Sequence, residues 1–136
     1  MYETILVSTD GSEPASRATE HALDLASTFD ATLHGIYVVD TSRYGSSMVA
    51  DEGEVVDDLE SRGRDLLDDL ATEADVDVST EIRSGRPHRE IADYADEIDA
   101  DLVVLGNRGL GAGPGGEIGS TAERVVRYLD RPVITA

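Results

Sequence analysis

The sequence predicts an α/β fold, a parallel sheet with helices on both faces, from three observations. Short apolar runs alternate with longer amphipathic ones along all 136 residues. One run, Leu102-Val103-Val104-Leu105, is apolar throughout, as a strand buried on both faces must be. Strand and helix signals follow one another in strict turn, which implies right-handed crossovers and a sheet covered on two sides. At this length, with 40% of residues apolar, residues 1–136 form a single domain with a core of its own.

The elements follow in order. β1 is the run Thr4 to Ser8, ended by the turn Thr9-Asp10-Gly11-Ser12. Ser12 suits the N-cap of α1, with Glu13 and Pro14 in the first turn, where an acid and a proline are both favourable. Ala15, Ala18, Ala22, Leu25 and Ala26 then recur at helical spacing to about Phe29. β2 runs from Ala31 to Val39, and a polar loop follows from Asp40 to about Ala50. α2 covers Asp51 to Ala74, with Val56, Leu59, Gly63, Leu66, Leu67 and Leu70 on one stripe. Its other side is dense in Asp and Glu, a solvated face rather than a metal site. β3, from Val76 to Ile82, alternates like a strand near the sheet edge. Pro87 starts α3, which continues to Ile98, and β4 is residues 102–105. After a glycine-rich loop come α4, from Ser120 to Leu129, and β5, from Pro132 to Thr135.

Charge narrows the partners. Asp and Glu total 29 against 11 basic residues, a net charge of −18; every basic residue is Arg and there is no Lys. Such a field repels nucleic acid and anionic membrane, so neither is expected as a partner. The long apolar periodicities argue against disorder. Acid excess, missing Lys and only 4% aromatic residues fit a halophilic protein with an acidic surface. In 1 M salt the Debye length is about 3 Å and self-repulsion is screened. With no cysteine there is no disulfide, thiolate metal site or thiol nucleophile. No apolar run approaches the ~20 residues of a membrane span, and no basic, apolar leader opens the chain. A cytoplasmic location is therefore expected.

In sheets of this kind ligands bind beyond the carboxyl ends of the strands, where the winding reverses. If the strand order is 3-2-1-4-5, that reversal lies between β1 and β4. The two most unusual turns follow those strands: Thr9 to Ser12, and the loop beginning at Gly106. Between Gly106 and Thr121 lie 7 of the 13 glycines. Glycine lets backbone N–H groups face a ligand with no Cβ in the way. Gly119-Ser120-Thr121 opens α4, where unpaired N–H groups and the helix dipole favour an anion. Arg108, the one cation of the loop, offers a phosphate charge-assisted hydrogen bonds. The loop reads as a phosphate cradle. A competing reading is that Ser120 and Glu123 form a capping box that satisfies the helix with no ligand. A P-loop is excluded because there is no Lys, and no Gly-x-Gly-x-x-Gly turn follows β1.

The spacing Gly106-x2-Gly109-x9-Gly119-Ser120 resembles the nucleotide-binding signature of the universal stress protein family. The likeness continues in Ile5 to Ser12, Tyr37-Val38-Val39-Asp40, Gly85-Arg86-Pro87, Asp101 to Gly106, Gly119 to Val125 and Arg131-Pro132-Val133. The resemblance implies a three-layer α/β sandwich, a five-stranded parallel sheet in the order 3-2-1-4-5 with four helices, usually as a homodimer. One branch of the family binds ATP, and the intact glycine motif resembles that branch. By position, Ser8 and Thr9 would line the adenine side, and Val38 would offer its backbone to the adenine edge. Gly106, Arg108, Gly109, Gly119, Ser120 and Thr121 would surround ribose and phosphates. Asp10 would accept from ribose hydroxyls or hold a water on Mg²⁺ carried with the nucleotide; its alternative is an Asx-type cap on the turn. The stretch Gly113 to Glu117 lacks further basic residues, which leaves ATP, ADP and AMP open as ligands.

No catalytic constellation is evident. His21 lies in α1, His34 in β2 and His88 at the start of α3, apart in sequence and without a nucleophile beside them. Phosphoryl transfer would want a Lys and clustered metal carboxylates, of which Asp10 alone qualifies. The expected function is therefore an ATP-binding sensor or switch in the stress response, acting on a client protein the sequence does not name. The alternatives are a slow ATP hydrolase and a nucleotide-independent, chaperone-like interaction protein. The family's pairing through the last strand would here use a short edge.

Overall fold

A computed structural model describes residues 2–41, 52–107 and 119–136, and at 52–54 the backbone alone. In chain order these hold β1 (Thr4–Ser8), α1 (Glu13–Phe29), β2 (Thr32–Asp40), α2 (Glu52–Glu73), β3 (Val78–Gly85), α3 (Pro87–Glu97), β4 (Leu102–Leu105), α4 (Ser120–Tyr128) and β5 (Val133–Thr135). The strands form one sheet in the order β3-β2-β1-β4-β5, and every pairing is parallel. The fold is the expected α/β sandwich.

Strand alternation sorts the core into two layers. Ile5 and Val7 of β1 point to the side covered by α1 and α2, while Leu6 points to the side covered by α3 and α4. β2 repeats the pattern, with Leu33, Tyr37 and Val39 on the first side and Ile36 on the second. The buried face of α1 is Ala15, Ala18, Ala22 and Ala26. Such small side chains let the helix axis lie close over β1 and β4. α2 presses Leu67 and Leu70 onto the bare backbone of Gly35.

β3 departs from expectation. It runs three residues beyond Ile82 and pairs with β2 through Asp40↔Gly85. Arg83 continues the polar phase of Ser79 and Glu81, on the face of the strand turned toward α3. Its guanidinium lies 4.9 Å from the centre of the Tyr94 ring and pairs with Glu97 at 2.6 Å and Glu81 at 3.2 Å. Burial opposes the charge on Arg83, but hydrogen bonds to Glu97 and Glu81 hold its pKa above the usual value. A polar-phase Arg is thus held against α3 by an aromatic ring and two carboxylates.

Candidate functional site

The β1–α1 turn is built from its own polar groups. Asp10 Oδ1 accepts from the Ser12 N–H at 2.9 Å, the Asx-type turn anticipated for it. Gly11 takes φ +83°, a conformation that favours glycine. Ser12 is extended, and its Oγ accepts from the Ala15 N–H at 3.2 Å, capping α1. Ser8 ends β1, and buried Thr9 donates its N–H to the Ile36 carbonyl at 3.1 Å.

The chain leaving β4 meets this turn directly. A Cβ on Gly106 would lie 2.7 Å from both the Pro14 carbonyl carbon and the Ala15 nitrogen. Gly106 is therefore needed for close approach of two backbones, a role distinct from freeing N–H groups for a ligand. Asn107 donates its N–H to the Ala136 carbonyl at 2.8 Å, and its own carbonyl accepts from the Gly119 N–H. The loop thus leaves and returns through one hydrogen bond, which sets the start of α4 beside the end of β4.

The capping box does not form. Gly119, extended at φ −73° and ψ 162°, is the N-cap, and Ser120 is the first helical residue. Among the described residues no side chain caps α4, and the Glu123 carboxylate turns outward to Arg127 at 2.7 Å. Because a glycine holds the cap position, the first turn keeps N–H groups that no side chain of a described residue is seen to satisfy.

Ser8, Thr9, Asp10, Gly106, Gly119, Ser120 and Thr121 therefore gather at one edge of the sheet, above β1 and β4. Ser120 is exposed and Thr121 half-buried. Val38 ends up one strand away, half-buried against the α3–α4 layer. Arg108 and Gly109 lie outside the described residues. Among the described residues no group of three or more His, Asp or Glu side chains is arranged to hold a metal ion.

Three features lie beyond what spacing along the sequence reveals. Asn107 Oδ1 is buried with no hydrogen-bond partner among the described residues, beside the closure of the loop. Asn107 passed unremarked as one polar letter in a glycine run. The Arg62 guanidinium of α2 lies over the β1–α1 turn, with Nη2 and Nε 3.5 and 3.7 Å from where a Cβ on Gly11 would be. Its helical stripe alone gave no hint of this. Third, His88 on α3 sits near Arg86, Arg89 and Arg124, with Asp40 of β2 also near. Burial first, then these arginines, lower its pKa, while Asp40 raises it.

A family model, that of the universal stress protein family, matches residues 1–136. The chain belongs to this family. Universal stress protein MJ0531 of Methanocaldococcus jannaschii is 34% identical over 98% of this chain and 81% of its own. Among solved structures, universal stress protein UspA from Lactobacillus plantarum is 32% identical, with a TM-score of 0.87 over 98% of this chain and 97% of the other. A universal stress protein crystallised in complex with cAMP is 26% identical, with a TM-score of 0.71 over 99% of this chain and 96% of the other. In this universal stress protein the signature positions outside 108–118 cluster at the junction of the β1 and β4 turns.

Proposed function

We propose that this universal stress protein binds an adenine nucleotide, ATP with Mg²⁺, between the β1–α1 and β4–α4 turns, and acts as a dimeric sensor whose bound state alters the surface met by a client protein. The observation that carries this reading is the start of α4, without a side-chain cap among the described residues and fastened to Asn107, next to the Gly106 that packs on the β1–α1 turn. A helix start of this kind accepts phosphate through its N–H groups and dipole. The buried, unpartnered Asn107 Oδ1 fits too, since it is an acceptor that a ribose or base donor could satisfy. The relative in complex with cAMP supports adenine nucleotides as the ligand class.

In this reading Gly106, Arg108, Gly109, Gly119, Ser120 and Thr121 surround ribose and phosphates, Ser8 and Thr9 flank the base, and the Val38 backbone meets its edge. Asp10, one oxygen already on the Ser12 N–H, accepts from the ribose or from a water on the metal. Mg²⁺ bound with the nucleotide would neutralise part of the phosphate charge, which matters in a chain of charge −18. The homodimer would form at the β5 edge, where Ile134 is 37% exposed.

The test is calorimetric titration with ATP, ADP and AMP in molar KCl, beside thermal melting with and without ligand. Binding to the native state stabilises it by about 2.7 kcal/mol at a ligand concentration 100 times Kd. Flat heats and an unmoved Tm with all three nucleotides would remove the nucleotide reading, and a monomeric mass by light scattering would remove the dimer.

A further inference from the structure

Arg108 is the single cation of the glycine loop, in a chain whose net charge is −18. α2 brings a second cation to the same edge of the sheet. The helix is registered on β2: Leu67 and Leu70 press on the Gly35 backbone, and Gly63 lies on the Tyr37 ring with no room for a Cβ. That register sets Leu66 and Arg62, one turn apart, over Gly11 of the β1–α1 turn. The Leu66 Cδ1 atom lies 3.4 Å from where a Cβ on Gly11 would be, Arg62 Nη2 3.5 Å and Nε 3.7 Å. A long surface side chain usually lays its stem on the protein and keeps its charged head in water. Here the head itself reaches the turn. Arg17 and Arg64 are as exposed as Arg62 and carry the same charge, so place alone sets Arg62 apart.

We propose that Arg62 is a ligand-binding residue of the crevice, the cation on its α2 side, which pairs with the phosphate next to the ribose and so makes the site favour a nucleotide over the nucleoside. The inference rests on the nucleotide reading and adds to it a residue that meets the phosphate. Asp10 belongs to the same turn, with Oδ1 accepting from the Ser12 N–H, and no ion pair between described residues joins it to Arg62. An acceptor and a guanidinium fork held at one turn match the two parts of a ribose phosphate, hydroxyls that donate and anionic oxygens that accept. Each cation at the crevice also offsets the repulsion that the acidic chain exerts on an incoming phosphate.

The experiment compares the affinities of AMP and adenosine for the parent and three variants by calorimetry, at one KCl concentration. Arg62→Gln should cut the preference for AMP over adenosine about tenfold, the loss expected for one charged hydrogen bond, while adenosine binds as before. Arg62→Lys keeps the charge and should retain most of the preference. Arg64→Gln, two residues on and about 200° further round α2, should leave both affinities unchanged. The Tm without ligand should stay within a degree or so of the parent in all three, as at other exposed positions, roughly 0.5 kcal/mol or less. Equal losses for AMP and adenosine in Arg62→Gln would mean that the residue only shapes the turn, and no loss for either that it only packs on it. Both results overturn the proposal and leave the nucleotide reading in place. A parent that binds neither ligand removes the nucleotide reading, and the assignment of Arg62 with it.

Discussion

Gly106 lies against the peptide joining Pro14 to Ala15, with only 2.7 Å between a Cβ position at 106 and either backbone atom. This contact ties the end of β4 to the start of α1, and so joins the two turns of the candidate site. Backbone atoms cannot swing aside as side-chain ends can. Gly106→Ala should therefore push α1 away from β4, lowering stability by about 1–3 kcal/mol, the usual range for overpacking, and weakening AMP binding as well. Gly35→Ala is the comparison. Its Cβ would press on Leu70 Cδ2 and Leu67 Cδ2, side-chain ends remote from the crevice, so it should lose stability but keep AMP affinity. Thermal denaturation and AMP titration of both variants check this; a Gly106→Ala protein with native Tm and affinity refutes it.

Ser12 and Ser120 look alike in sequence, each opening a helix, but only Ser12 Oγ accepts from its helix, at the Ala15 N–H. Ser12→Ala should cost about 1 kcal/mol of stability, as loss of an N-cap does. Ser120→Ala should change stability by less than about 0.5 kcal/mol, as at an ordinary surface position, while weakening nucleotide binding. Urea denaturation of the two variants, with and without AMP, separates the roles. Equal losses of stability would mean that Ser120 caps α4 after all.

How far the sequence could be read depended on whether a feature is local. Ser12, Glu13 and Pro14 announce α1 because capping acts within four residues, and the sheet order follows once alternation fixes the crossovers. The Asp10 and Gly106 turns were found as candidates for the same reason. Arg62 was not, because nothing in α2 tells which of its arginines ends over the β1–α1 turn. The capping box failed on a local ambiguity: Gly119 and Ser120 could each cap, and the hydrogen bond from Gly119 to Asn107, a contact across the loop, accompanies the choice of glycine. The end of β3 was missed because Arg83 is held by Glu81 on its own strand but also by Tyr94 and Glu97 on α3, which periodicity cannot see.

His34 should make the fold sensitive to mild acid. Its Nδ1 lies 3.2 Å from the Tyr94 hydroxyl, and burial holds its pKa below the ordinary 6.5. The unfolded chain therefore takes up the proton at higher pH than the folded one. The contribution of neutral His34 is present above about pH 6.5 and is lost as pH falls through that value toward the folded pKa. His88 is shifted the same way, by burial and then by Arg124, Arg89 and Arg86. His34→Gln keeps a partner for Tyr94 but cannot titrate, so its loss of stability between pH 7.5 and 5.5 should be smaller than that of the parent. Urea midpoints at the two pH values, in constant salt, give the comparison. An identical drop in both proteins would mean that His34 charges as readily folded as unfolded.

Salt should stabilise this protein by screening, and α2 indicates where. Asp68, Asp69 and Glu73 are exposed near its carboxyl end, where the helix dipole is itself negative, and its last turn has no basic residue. At low ionic strength each such charge costs about 0.3–1 kcal/mol, and the penalty fades as the Debye length falls from ~30 Å at 0.01 M to ~3 Å at 1 M. The Tm of the parent should therefore climb as KCl rises from 10 mM to 1 M. Asp69→Asn with Glu73→Gln should raise Tm in dilute buffer and give little further gain in 1 M KCl. Chloride is the salt to use, because sulfate also strengthens apolar burial and would raise Tm by a second route. A parent Tm that does not move with KCl would show that the net charge of −18 is harmless to the fold. A gain from the double variant that is equal at both salt levels would trace to helix propensity instead of charge.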